Sequence, residues 1–338
     1  MRNASASALA IGLGVSATAL ADTPMSYMRT FGPAADPITA LGWGLLGISM
    51  AVIVIIGALL VGGLFRRRSV EEHRSRASLA VARDSGGLAW IYVGVGVSTV
   101  VLMISAVWTF SVIAATTRPP SAPGLSVEVS AEQWWWRLRY ASDDPAGIFM
   151  TANEIHIPVG QPVRFELASP DVIHSFWVPQ LAGKTDVIPG QRNVAWLQAN
   201  QPGVYRGQCG EYCGAQHAHM ALVVVADAAD QFTAWRRAQL QSSAPATAET
   251  RKGAAVFASR CGSCHTVRGS DSGGLVGPDL THLMSRRTIA AGMLPNDREH
   301  LAEWIIDAQR VKPGARMPSI ALAGEDLDAV LAYLLTLS

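Results

Sequence analysis

Two long stretches of the chain, residues 37–65 and 85–117, carry no charged side chain. Each exceeds the roughly 20 apolar residues that take a helix across a bilayer. They predict membrane helices over about 41–65 and 88–115. Their length and uncharged flanks set them apart from the buried helices of a soluble core. Further along, the pattern changes to alternation, as in 125–129 and 163–167, and to a short β-branched run, as in 221–225. Pro158, Gly160, Pro162 and the Pro202-Gly203 pair punctuate these runs. Short alternating segments between such breakers predict an all-β sandwich or barrel over 119–241. Residues 229–241 read as a helix, and 242–248, rich in Ser, Ala and Thr, as a flexible linker. From 249 to 338 the apolar spacing becomes helical, over 249–259, 297–309 and 325–337. The expected fold is therefore multidomain: a two-helix membrane hairpin (22–118), a β unit and an all-α unit, without internal repeats.

Charge orients this layout. Arg66, Arg67, Arg68, Arg74, Arg76 and Arg83 fall between the two apolar runs. Six arginines in a short loop, 66–84, place it in the cytoplasm, so everything after Arg118 lies on the other side. Residues 1–21 read as a secretory signal peptide: Arg2, then a small apolar stretch ending Ala19-Leu20-Ala21. The β and α units are thus expected in a bacterial periplasm, anchored to the inner membrane. Of the 338 residues, 49% are apolar and 16% charged, which excludes disorder. The net charge of +1 excludes a nucleic-acid binder working by bulk electrostatics.

The four cysteines form two close pairs, too few for a disulfide-stapled scaffold. The first pair lies in Cys209-Gly-Glu211-Tyr-Cys213-Gly-Ala-Gln-His217-Ala-His219-Met220, with His174 a further candidate upstream. Two thiols, two imidazoles and one thioether are enough soft ligands for two copper ions bridged by sulfur. Bridging thiolates spread one unpaired electron over both metals, which suits electron relay. A Cys209–Cys213 disulfide and a two-Cys, two-His zinc site are the alternatives, but Met220 has no place around zinc. His219 is expected to be exposed and receives no metal.

The second pair, Cys261-Gly-Ser-Cys264-His265, is the pattern of covalent haem attachment. The thiols add to the haem vinyl groups and His265 ligates the iron. Met317, 52 residues on, is the expected second axial ligand, with Met284 and Met293 as rivals. Pro278 is either a haem-edge contact or an ordinary turn proline. A thioredoxin-like pair is the competing reading of Cys261 and Cys264, and His265 argues against it.

Taken together, the hairpin, the β unit and the 209–220 loop resemble subunit II of cytochrome c oxidase, and 249–338 resembles a fused class I cytochrome c. Glu132-Gln-Trp134-Trp-Trp136 and Gly183-Lys-Thr-Asp186-Val-Ile-Pro-Gly190 add to the likeness. The resemblance implies a cupredoxin sandwich holding the binuclear CuA centre through His174, Cys209, the Glu211 carbonyl, Cys213, His217 and Met220. It implies magnesium at the Glu211 carboxylate, at the interface with subunit I, and electron transfer into the copper site at Trp134. A sandwich-core role is the alternative for Trp134, although three consecutive tryptophans cannot all face one core. The implied partners are subunit I, subunit III and an electron donor, either a soluble or membrane cytochrome c or the bc1 complex. Oxygen chemistry would belong to subunit I. No acid lies in 85–117, and Glu71, Glu72 and Asp84 read as solvated loop charge, so no proton-channel residue is assigned.

Two other functions share parts of this pattern. A CuA-containing nitric oxide reductase would use a similar electron-inlet subunit. A membrane-anchored copper carrier would have no use for Cys264-His265.

Overall fold

The structure, a computed structural model, describes residues 25–65, 87–322 and 324–338. The expected signal peptide at 1–21 and the arginine-rich loop at 66–84, with Glu71, Glu72 and Asp84, lie outside the described residues. Helices α1 (Asp36–Phe65) and α2 (Gly87–Thr117) are long and apolar enough to cross a membrane. They leave large apolar side chains such as Leu59, Leu64, Trp90 and Phe110 uncovered on all sides. The two helices approach closely at Gly44, where a Cβ would stand 2.3 Å from the Trp108 ring. Any larger residue there would push the hairpin apart.

Ten strands follow: β1 (Leu125–Glu132), β2 (Trp135–Tyr140), β3 (Phe149–Ala152), β4 (Glu154–Pro158), β5 (Val163–Ala168), β6 (His174–Trp177), β7 (Thr185–Val187), β8 (Asn193–Leu197), β9 (Gly203–Cys209) and β10 (Ala221–Asp227). They form two five-stranded sheets, ordered β3-β2-β1-β5-β8 and β4-β10-β9-β6-β7. The β1–β5 and β4–β10 pairs are parallel and the rest antiparallel. Period-two alternation sets the faces. On β2, Trp136, Leu138 and Tyr140 point into the core, while Trp135, Arg137 and Arg139 face outward. Phe176 meets Trp136 edge-on at 5.8 Å and stacks on Phe165 at 5.3 Å, closing the sandwich. Helix α3 (Ala229–Gln239) lies on β4 and β10, and its Trp235 stacks on His156 at 4.2 Å.

The hairpin is joined to the sandwich. Ala34 forms a parallel bridge with Ala182, Phe31 N–H donates to the Gln180 carbonyl, and the Trp196 indole donates to the Thr116 carbonyl at 2.9 Å.

Residues 242–248 form neither helix nor strand, yet the Ser243 N–H and hydroxyl both donate to the Arg268 carbonyl. Beyond them come α4 (Arg251–Arg260), α5 (Arg298–Ile306), α6 (Ala308–Val311) and α7 (Gly324–Leu334). Asp297 caps α5, its carboxylate accepting from His300 N–H at 3.0 Å. Helices α4 and α7 cross at Gly253, where a Cβ would fall 1.9 Å from the Ala329 carbonyl oxygen. Phe257, Leu301, Val330 and Tyr333 form a second, separate core.

Candidate functional site

Strand register brings the first set of candidate ligands together. Strand β9 ends at Cys209 and β10 begins at Ala221, so residues 210–220 turn back at one end of the sheet. Strand β6 pairs with β9, Phe176 opposite Cys209, which carries His174 to the same end. Cys209 Sγ lies 3.8 Å from Cys213 Sγ and 3.8 Å from His174 Nδ1. Cys213 Sγ lies 3.6 Å from His217 Nδ1 and 3.9 Å from Met220 Sδ. The Glu211 carbonyl oxygen is 3.2 Å from Cys209 Sγ, and the residue is exposed. Both cysteines are buried and unbonded to each other. His219 is exposed and stands apart from this cluster.

The electrostatics suit metal binding. His174 Nε2 is 2.9 Å from Asp171 Oδ1. A carboxylate only accepts, so Nε2 carries the proton and Nδ1 offers its lone pair to the sulfurs. Burial opposes the Asp171 charge, but hydrogen bonds from His174 and from the Gln133 and Val172 N–H groups hold its carboxyl below the usual range. Hydrogen bonding within the thiol pair, against burial, draws Cys209 down to about 3 and pushes Cys213 up. Two thiols, two imidazoles, a thioether and a carbonyl fit a soft metal such as copper; they are more donors than a four-coordinate zinc takes, and zinc has no use for the thioether.

The second set converges on a cavity in the α unit. Cys261, Cys264, His265 and Met317 line it, with Phe257 and Leu301 among its apolar walls. His265 Nδ1 lies 2.8 Å from the Pro278 carbonyl, so Nδ1 donates and Nε2 is left with its lone pair. Burial pushes the His265 pKa down, keeping the ring neutral. Pro278 thus has a specific role, orienting the histidine through its carbonyl, and it also lines the cavity. Met284 packs against the second core, and neither it nor Met293 lines the cavity. The cavity suits a haem: two free thiols, a neutral imidazole and a thioether surround it. Buried Arg286 also lines it, and the Arg286 Nε has no hydrogen-bond partner among the described residues. That leaves a donor for an anionic group such as a propionate.

Trp134 connects the two sites. It lines the same cavity, and its indole N–H donates to the Cys213 carbonyl at 2.9 Å. A Cβ on Gly314 would stand 3.3 Å from its ring. The three tryptophans part ways: Trp134 is buried at the boundary between the units, Trp135 is half-buried beneath Arg137, and Trp136 is in the core.

Several residues at this boundary carry no sequence signal. Lys312 is 2% exposed, and its Nζ donates to the carbonyls of Trp134 (2.7 Å), His219 (2.7 Å) and Ala290 (3.0 Å). Burial draws its pKa down to about 7, and the three carbonyls take all three of its N–H donors. Arg316 reaches Glu132 at 3.7 Å and Asp171 at 3.4 Å. The spacing of Asp171 three residues before His174 is a signal that could have been read.

Residues 142–227 match the family described as cytochrome C oxidase subunit II, periplasmic domain, and residues 250–338 match the cytochrome c family. The chain is similar to cytochrome c oxidase subunit 2 of Alkalihalophilus pseudofirmus, 39% identical over 214 residues, covering 62% of this chain and 60% of that protein. It is similar to cytochrome c oxidase subunit 2 of Bacillus sp. strain PS3, 30% identical over 289 residues, covering 81% of this chain and 80% of that protein. Among solved structures it is similar to the periplasmic domain of subunit II of cytochrome oxidase from Bradyrhizobium japonicum, 28% identical with a TM-score of 0.33, covering 35% of this chain and 95% of that one.

Proposed function

The chain belongs to the cytochrome c oxidase subunit II family, and on that footing we propose that it is the electron-inlet subunit of a respiratory haem-copper oxidase. It takes electrons from an external donor at a covalently bound haem c and passes them through a binuclear CuA centre to subunit I, where oxygen is reduced to water. The donor is a soluble or membrane cytochrome c or the bc1 complex, and subunit III completes the assembly. The hairpin lies in a bacterial inner membrane, with both folded units in the periplasm.

When bound, the haem and the copper pair each supply reversible one-electron chemistry. Cys209, Cys213, His174, His217, Met220 and the Glu211 carbonyl hold the copper pair. Asp171 keeps the His174 proton on Nε2. Cys261 and Cys264 anchor the haem, and His265 and Met317 ligate its iron. Arg286 neutralises an acidic group of the haem. The Glu211 carboxylate, exposed beside the copper loop, is a magnesium ligand at the face turned to subunit I.

The observation that carries the reading is Trp134. It lines the cavity of Cys264 and His265 while bonding the Cys213 carbonyl. A residue touching both sites gives electrons a short covalent and hydrogen-bonded route between them. The test is rapid mixing of the purified complex with reduced donor, following the haem c band, the near-infrared copper band and oxygen uptake. The haem is reduced first, the copper second, and oxygen is consumed. Copper reduced ahead of the haem would overturn the route. Consumption of nitric oxide in place of oxygen would overturn the partner chemistry.

A further inference from the structure

The cytochrome unit carries equal numbers of basic and acidic residues, ten of each over 249–338, so net charge does not hold it on the sandwich. One buried lysine crosses the boundary instead. The Lys312 Nζ donates to two carbonyls of the sandwich, Trp134 and His219, and to one of its own unit, Ala290. An ammonium has three donors, and here each has an acceptor. Ala290 and its neighbour Ala291 both hold positive φ, 53° and 60°, a conformation alanine rarely adopts. That turn sends the Ala290 carbonyl to Lys312, while the Ala291 carbonyl accepts from Ala221 N–H at 3.1 Å across the boundary.

The residues after Lys312 complete the contact. The Pro313 carbonyl accepts from the Gln216 side chain at 2.9 Å. Gly314 lies against the Trp134 ring. Arg316 reaches Glu132 and Asp171. Met317, on the haem cavity, follows directly. A six-residue segment therefore runs from the carbonyl of Trp134 to the cavity wall, and Lys312 is its one fully buried anchor.

We propose that Lys312 is the positioning residue of inter-unit electron transfer: by tying the Trp134, His219 and Ala290 carbonyls together, it seats the 312–317 segment on Trp134. This rests on the functional reading above. Without the anchor, the cytochrome unit would still fold and bind haem, but would leave the copper loop for a larger share of the time.

The test uses the full-length protein loaded with copper and haem, at one fixed pH for all variants. Two amides report docking: Ala221, bonded to Ala291, and Arg287, whose N–H donates to Glu154 at 2.9 Å. Val224 and Leu331 report the two cores. In Lys312→Met, the docking amides are expected to exchange at least tenfold faster with core exchange unchanged. Transfer from reduced haem to copper slows at least tenfold, while copper content and both visible spectra stay native. Lys312→Gln, which keeps two donors, is expected to fall between, and it carries the test if Lys312→Met loses core protection. Native exchange at Ala221 and Arg287 in a variant with an intact core overturns the proposal, as does faster exchange with native transfer. Faster exchange in a chain that holds neither copper nor haem upholds the anchor and overturns the function it serves.

Discussion

Asp171 Oδ1 stands 2.9 Å from His174 Nε2, and this single contact decides which ring nitrogen faces the sulfur pair. Asp171→Asn removes the charge that fixes the tautomer. Copper affinity is expected to fall about 10- to 100-fold, as for other partners of metal-bound histidines. Competition against a chelator of known affinity measures it, and native affinity would show that the sulfurs alone hold the metal.

Cys213 touches Cys209, His217 and Met220 at once. Cys213→Ser therefore removes the bridge between two metal positions, not merely one ligand. The mixed-valence paramagnetic signal of a copper pair should vanish. A surviving two-copper spectrum would show that the ligand set is wrong.

Met317 lines the same cavity as His265, whereas Met284 packs against the second core. Met317→Ala should lower the haem midpoint potential and weaken the low-spin spectrum, because thioether ligation favours ferrous iron. Met284→Ala should leave both unchanged while lowering stability by less than the roughly 2–5 kcal/mol of a fully buried methionine, because Met284 is half-buried. Redox titration separates the two variants, and the opposite pattern would move the axial ligand to Met284.

His156 lies 2.6 Å from Asp227 and 3.2 Å from Glu154. Burial lowers its pKa, but hydrogen bonds to the two carboxylates outweigh that and leave it raised above 6.5. A raised histidine stabilises the fold fully below its unfolded pKa and loses that stabilisation as pH rises through the folded value. Unfolding temperature is expected to fall as pH climbs beyond 6.5. In His156→Gln the His156 share of this decline disappears, with about 1–3 kcal/mol lost at low pH, where two acids lose their cation. Thermal unfolding between pH 5 and 9 tests it; a native curve that falls no more steeply than the variant's would assign the pH response elsewhere.

Deleting residues 249–338 should leave copper loading intact, because all candidate copper ligands and Asp171 precede the cut. It should also uncover Trp134, now 9% exposed. Direct reduction of the copper by a soluble cytochrome c is then expected to rise above that of the full chain. Loss of copper from the shortened chain would show that the cytochrome unit holds the loop in shape.

Much of the architecture was legible because it rests on local rules. The uncharged runs become α1 and α2, alternation at 125–129 and 163–167 becomes β1 and β5, and the β-branched run at 221–225 becomes β10. The short Cys-to-Met and Cys-to-His spacings needed only a loop to gather their donors. Lys312 was illegible for the opposite reason. A lysine in a loop ordinarily stays in water, and its burial depends on carbonyls 178, 93 and 22 positions away. The Trp run was half legible: period two forbade a common environment for all three, but only the neighbouring unit decides what covers Trp134.

The Trp196–Thr116 hydrogen bond and the Ala34–Ala182 bridge grip the sandwich at the ends of both predicted spans that lie away from the arginine-rich loop. A domain rooted at two points cannot swivel on its stalk. The height and tilt of the sulfur cluster above the lipid are thereby set by the chain's own contacts, before any other subunit arrives.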